Sequence, residues 1–240
     1  MTLRRQLLTS KNNVIDIVTE DIKAQAHFAD KANFADVVLN QINQDRFYDQ
    51  IFEGEEDLTI LDIGGNVGLF SLYAQDRAKA IYPIEPTPGH FHILKELTKD
   101  YSNIHPLSIA AHSEDTTIDL YISEENSTMN SSVNKYGTKI AVEAKTIRTI
   151  IDELRLDHVD LIKCDIEGSE MAALTDETVG AVKDMVDCWF IEVHATSSLN
   201  QADWAASLEN NRRKLAAVFE RQGFEVQDHR VDGLYIFKPE

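Results

Sequence analysis

The sequence predicts an α/β fold, a mostly parallel β-sheet wrapped by helices on both faces. Three features predict it. From residue 58 onward, short apolar runs alternate with helix-like stretches. A glycine-rich turn joins the first run to the helix after it. The chain then closes on two short runs around Val231-Asp232-Gly233, a hairpin-like ending that makes the last strand antiparallel.

The chain has 240 residues, 43% of them hydrophobic, which suits one large domain with a real core. A formal net charge of −18 argues against nucleic acid as a partner. Arg212, Arg213 and Lys214 form the richest basic cluster and read as a solvated helix face. No run of about 18 apolar residues predicts a membrane span. Met1 to Thr9 lacks the apolar core of a secretory signal. The two cysteines, Cys164 and Cys188, do not make a disulfide framework, so a cytoplasmic location is expected.

In chain order, residues 1–54 read as an N-terminal helical extension and residues 55–240 as the main domain. Apolar residues from Phe34 to Phe52 recur at roughly helical spacing. Leu58 to Ile63 is a buried strand, Val67 to Lys79 a helix and Ala80 to Ile84 a second strand. Thr87 to Asp100 is a helix with Thr87 as N-cap and Pro88 at its first position. Ile104 to Ile109 is a third strand. Thr117 to Ile122 and Ile140 to Thr146 are further strands, around a polar stretch from Ser123 to Lys139 that is expected near a substrate. Val159 to Cys164 and Cys188 to Val193 are strands on either side of a short helix from Ser169 to Leu174. Ala202 to Gln222 is a long helix with Trp204, Leu208, Leu215, Val218 and Phe219 on one side, stopped by Gly223. Trp189 reads as core.

The turn after the first strand reads Asp62-Ile63-Gly64-Gly65-Asn66-Val67-Gly68. Glycines let the backbone turn sharply and approach a ligand, and the following helix offers free N–H donors. A dinucleotide loop would need G-x-G-x-x-G around a pyrophosphate. Here the order is G-G-x-x-G, and Asp62 would repel a pyrophosphate but suit the ammonium of S-adenosylmethionine. Glu85 ends the next strand, where a carboxylate accepts hydrogen bonds from both hydroxyls of a ribose.

Four segments in this order resemble the FkbM-type methyltransferases: Asp62-Ile-Gly-Gly-Asn-Val-Gly-Leu-Phe-Ser, Ile84-Glu-Pro-Thr-Pro with Phe91 and Leu94, Ile162-Lys-Cys-Asp-Ile-Glu-Gly-Ser-Glu, and Ile191-Glu-Val-His. The resemblance spans roughly Leu58 to Phe237. It implies the class I methyltransferase fold, a Rossmann-like three-layer arrangement with a mostly parallel seven-stranded sheet and an antiparallel last strand. It implies S-adenosyl-L-methionine as cofactor, held by Asp62, Gly64, Gly65, Asn66, Gly68 and Glu85, with Ala110 and Ala111 near the adenine. The reaction it implies is O-methylation of a hydroxyl on a sugar or another small natural product.

Within that fold, Asp165, Glu167 and Glu170 follow the fourth strand of the cofactor sheet, while Glu192 and His194 end the fifth. Ligands of open parallel sheets gather at the carboxyl ends of the strands. Asp165 and His194 are therefore the candidate catalytic pair, with His194 as general base. Alternatively Asp165 and Glu192 hold Mg²⁺ or another divalent cation, with His194 as a further candidate ligand. Glu167 and Glu170 fit equally well as charges on a helix's first turn. The other seven histidines lack ligand spacing. Cys164 reads as a buried hydrophobe, out of disulfide reach of Cys188. Two other functions fit parts of the pattern: a nucleotide-sugar oxidoreductase with a dinucleotide cofactor, and a binding module that keeps the pocket without catalysis. The stripe Val38, Ile42, Ile51 fits either a cover over the acceptor or a homodimer contact.

Overall fold

The computed structural model describes Tyr48, Phe52 and residues 55–122, 137–196, 201–229 and 232–239. The expected helix from Phe34 to Phe52 lies outside these residues except at Tyr48 and Phe52, as does the polar stretch 123–136.

β1 (Leu58–Ile63) leads into α1 (Leu69–Ala74), β2 (Ala78–Ile84) and α2 (Pro88–Thr98). Then come β3 (Ala110–Ala111), β4 (Thr116–Ile122), β5 (Thr138–Lys145) and α3 (Ile147–Glu153). β6 (Val159–Cys164), α4 (Glu170–Ala173), α5 (Asp176–Gly180) and β7 (Val186–Glu192) follow, and α6 (Gln201–Arg221), β8 (Glu225–His229) and β9 (Gly233–Phe237) complete the chain. The main sheet runs β2-β1-β6-β7-β9-β8. β1, β2, β6 and β7 are parallel, and β9 is antiparallel to both β7 and β8. This is the α/β architecture that the strand–helix alternation and the resemblance predict.

The third expected strand is much reduced. Ile104 to Ile109 touches β2 at two bridges, Ile81 to Ile104 and Ile84 to Leu107. Pro83 faces this edge without an N–H donor, which interrupts the ladder. The sheet has six strands and a bridged edge segment in place of seven. The helix expected from Val67 to Lys79 ends at Ala74. Leu58 pairs with Ala78, and its N–H donates to Arg77 O, so strand pairing claims residues that helix periodicity had assigned to α1.

Both faces of the sheet are covered, so β1 is buried at every position. Along β7 the side chains alternate. Trp189 and Ile191 join the core under α3, α5 and α6, while Phe190 joins the opposite cluster with Tyr48, Phe52 and Phe70. Trp189 packs edge-on against Phe219, as a core residue should. Trp204 does not join its expected face and is 44% exposed. Asn211 and Ser207 already sit beside His194 and Thr196, beyond the end of β7. Trp204, a turn earlier in α6, therefore lies past the core's edge. Both cysteines are free, with Cys188 opposite Leu161 and Cys164 opposite Ile191. Among the described residues, no helix is long and apolar enough to cross a membrane.

Candidate active site

The glycine turn is shaped by close approaches. Gly64 has a φ of 82°, and a Cβ there would lie 1.8 Å from Asp165 O. Only glycine lets the ends of β1 and β6 come this near. Gly68, with a φ of 91°, faces Leu94 of α2, where a Cβ would lie 2.5 Å from Cδ1. The N–H groups of Gly64 and Gly65 both donate to Ile84 O, which ties the turn to β2. Asn66 also takes a left-handed φ, of 48°. Its N–H donates to Glu85 Oε2 at 3.0 Å. Thr87 N–H donates to Glu85 Oε1 at 2.8 Å, and His90 Nδ1 stands 3.7 Å from the same oxygen. Burial opposes the Glu85 charge, but His90 and Thr87 outweigh it and hold the carboxyl below its usual range.

A pocket opens where these groups meet the ends of β1, β2 and β6. Gly64, Asn66, Glu85, Thr87 and His90 form one side, and Asp165, Glu167 and Ser169 another. Ala110, Ala111, Ile118, Leu120 and Ile84 supply an apolar wall. Asn66 Oδ1 is buried without a hydrogen-bond partner, so an acceptor stands ready for a ligand donor. A nucleoside with an amino-acid tail fits this set: apolar wall for the base, carboxylate for the ribose, glycine turn for the tail.

Not every expected cofactor residue lines the pocket. Gly64, Asn66, Glu85, Ala110 and Ala111 do. Gly65 and Gly68 instead set the packing of the turn. Asp62 is fully buried behind it, accepting from Ser71 Oγ at 2.7 Å and standing 3.5 Å from Lys163 Nζ. Period-2 alternation turns Asp62 away from the pocket that Ile63 lines. Ile118 and Leu120 enter from the β4–β5 hairpin, which the sequence had assigned no role at the cofactor. Their alternation on one strand was visible, but its partner surface was not.

At the other side, four carboxylates gather around His194. His194 Nδ1 lies 2.8 Å from Glu170 Oε1, which also accepts from the Gly168 N–H at 3.1 Å. Glu170 is 1% exposed and orients the ring, so it does more than charge a helix end. His194 Nε2 then faces Glu167 Oε2 at 3.5 Å and Asp165 Oδ1 at 3.7 Å. Burial alone would lower the His194 pKa. Glu170, Asp165 and Glu167 reverse this and push it up to about 10. Glu167 and Glu192 are each pushed up to about 8, mainly by burial and then by Asp165. The donor atoms of Asp165, Glu167 and His194 all lie within 4.8 Å of one another, so the set that a cation would meet takes Glu167 in place of Glu192.

The methyltransferase FkbM domain matches residues 62–228, most of the chain. The chain belongs to the FkbM methyltransferase family. It is therefore a methyltransferase, with S-adenosylmethionine as methyl donor, and the dinucleotide oxidoreductase alternative falls away. Methyltransferase sdnD of Sordaria araneosa is 24% identical over 237 residues, covering 82% of this chain and 85% of that one. Methyltransferase 1 of Beauveria bassiana (strain ARSEF 2860) is 24% identical over 182 residues, covering 65% and 72%. Among solved structures, a Methanococcus jannaschii fibrillarin pre-rRNA processing protein gives a TM-score of 0.47 at 14% identity, covering 77% of this chain and 67% of that one.

Proposed function

We propose that this methyltransferase acts on an oxygen nucleophile, a hydroxyl of a sugar or similar small natural product. The observation that carries the reading is the hydrogen-bonded unit Glu170–His194, with Asp165 and Glu167 at its open nitrogen and on the pocket wall. An alcohol attacks poorly until its proton is drawn away, so a proton acceptor belongs beside the acceptor site. Bound in the pocket, S-adenosylmethionine supplies an electrophilic methyl group.

Glu85, Asn66 and Gly64 hold the donor in this reading, and the wall of Ala110, Ala111, Ile118 and Leu120 receives its base. Asp62 acts from behind the turn by fixing it. Glu170 holds the His194 ring with Nε2 toward the pocket. In the protein alone, His194 is an imidazolium at neutral pH and cannot accept a proton. Positive charge brought to this edge disfavours that cation and frees Nε2 as a base. Asp165 orients the ring from the opposite side and shares the acceptor's proton.

A second reading gives the same residues to a divalent cation. The grouping of Asp165, Glu167 and His194 donor atoms favours it. Such an ion would lower the pKa of an acceptor hydroxyl directly. Chelation stops the reaction in this reading and leaves it untouched in the first.

Residues 1–54 are proposed as an N-terminal helical extension, of which Tyr48 and Phe52 pack against Phe70. Whether it covers the acceptor or pairs two copies is decided by solution mass with and without residues 1–47. The cytoplasm is the proposed compartment, and nucleic acid is not a proposed acceptor. The function is tested by incubating the protein with S-adenosylmethionine and a panel of sugars and sugar nucleotides, then reading product masses. An O-methylated product supports the reading. Methylation confined to amines or carbon overturns it, and cofactor binding without turnover on any acceptor class leaves the non-catalytic module standing.

A further inference from the structure

Lys163 lies at the end of β6, one position before Cys164, with a side chain only 5% exposed. An ammonium in such a place needs compensation. It stands 3.3 Å from Asp165 Oδ2, 3.5 Å from Asp62 Oδ1 and 3.4 Å from Gly64 O. The Phe70 ring lies 5.7 Å from it, and the Tyr48 ring packs on Phe70. Burial pulls its pKa down, and Asp165 and then Asp62 more than reverse this, so the ammonium stays charged.

These three partners belong to different parts of the site. Asp62 fixes the glycine turn from behind, Gly64 lines the cofactor pocket and Asp165 stands at the acidic edge. Asp165 spends Oδ2 on Lys163, which leaves Oδ1 toward His194 Nε2. We propose that Lys163 is a positioning residue that ties the cofactor turn to Asp165 and holds the two halves of the site in one alignment. This rests on the methyl-transfer reading above. A purely structural lysine would only neutralise Asp62. A positioning lysine also decides which Asp165 oxygen faces the histidine and where Gly64 sits.

Pairs of substitutions separate the two roles. Lys163→Met leaves Asp62 buried without its cation and is expected to lower thermal stability. Asp62→Asn combined with Lys163→Met removes both charges and should restore most of that stability. The affinity of S-adenosylhomocysteine is then measured by calorimetry, and the ¹⁵N signals of His194 are recorded at one pH. In the stable double variant, binding should be weaker by about tenfold or more than in Asp62→Asn alone, as expected when a charged tether is lost. The His194 signals should be displaced from those of Asp62→Asn alone, while Lys163→Arg should restore part of both. Affinity and His194 signals in the double variant equal to those of Asp62→Asn alone would overturn the proposal. Failure of the wild-type protein to bind S-adenosylhomocysteine would instead overturn the methyl-transfer reading itself.

Discussion

The two sides of the active-site cleft are built on opposite principles. On the proposed cofactor side, one carboxylate, Glu85, is matched by backbone donors from Asn66 and Thr87 and by His90. Its charge is paired before any ligand arrives, and the adjoining wall is apolar. On the acidic side, Asp165, Glu167, Glu170 and Glu192 crowd around His194 and Lys163, and Glu167 and Glu192 are both pushed up to about 8. The first side is preorganised to bind. The second holds its protons tightly at neutral pH, and the proposed proton transfer needs charge brought to this edge to release one. The division implies that substitutions on one side should change affinity and those on the other should change turnover.

The largest expected effect breaks both sides together. Gly64→Ala places a methyl group against Asp165 O in a left-handed conformation. The backbone strain alone costs roughly 1–3 kcal/mol, and the overlap adds to it. Cofactor binding should vanish in calorimetry and the melting temperature should drop. Near-normal affinity would mean the turn is free to shift.

Replacing residues 123–136 by a tight turn tests the boundary between the sides. The β4–β5 ladder from Thr116 opposite Ala144 to Ile122 opposite Thr138 would keep Ile118 and Leu120 in place. Methyl transfer should be abolished while cofactor affinity stays nearly constant. Full activity in this variant would remove the segment from the acceptor site.

His194→Ala should lower kcat by roughly 10²–10⁴-fold, the usual contribution of a general base. Cofactor affinity should survive. The same assay with chelator chooses between base and cation, since only the second mechanism recovers on adding Mg²⁺. Near-normal turnover in both His194→Ala and Asp165→Ala would move the chemistry elsewhere.

These halves were not equally readable in the sequence. The cofactor side is local: a strand, a glycine turn and a helix carry Gly64 and Asn66, and Glu85 ends the next strand. Contiguous residues impose that geometry whatever the rest of the chain does. The acidic side brings β6 and β7 together, so Glu170 could be seen as a charge on a helix but not as the partner of His194, 24 residues away. Lys163 was equally hidden, because an isolated lysine in a strand carries no sign of the carboxylates below it. Edge elements misled for another reason. Periodicity extended α1 and the third strand, while strand pairing at Leu58 and the missing donor of Pro83 cut them short.

The smallest expected effect sharpens the contrast through pH. Glu85 titrates below its ordinary value in the folded protein. Its charge therefore stabilises the fold above the usual carboxylate range, and that contribution is lost as pH falls through the lowered value. The stability gap between wild type and Glu85→Gln should be constant near neutrality and shrink below about pH 4. Thermal unfolding across that range checks it, and a gap that grows on acidification would reverse the sign.

The pocket bounded by the glycine turn and Glu85 is proposed to receive S-adenosylmethionine. Calorimetric titration of wild type and Glu85→Ala with S-adenosylhomocysteine and, separately, with NAD tests it most directly. Saturable binding of the first ligand is expected, none of the second, and a loss of roughly 1–3 kcal/mol in the variant, the range for a buried polar partner removed. Tight NAD binding with no response to S-adenosylhomocysteine would contradict it.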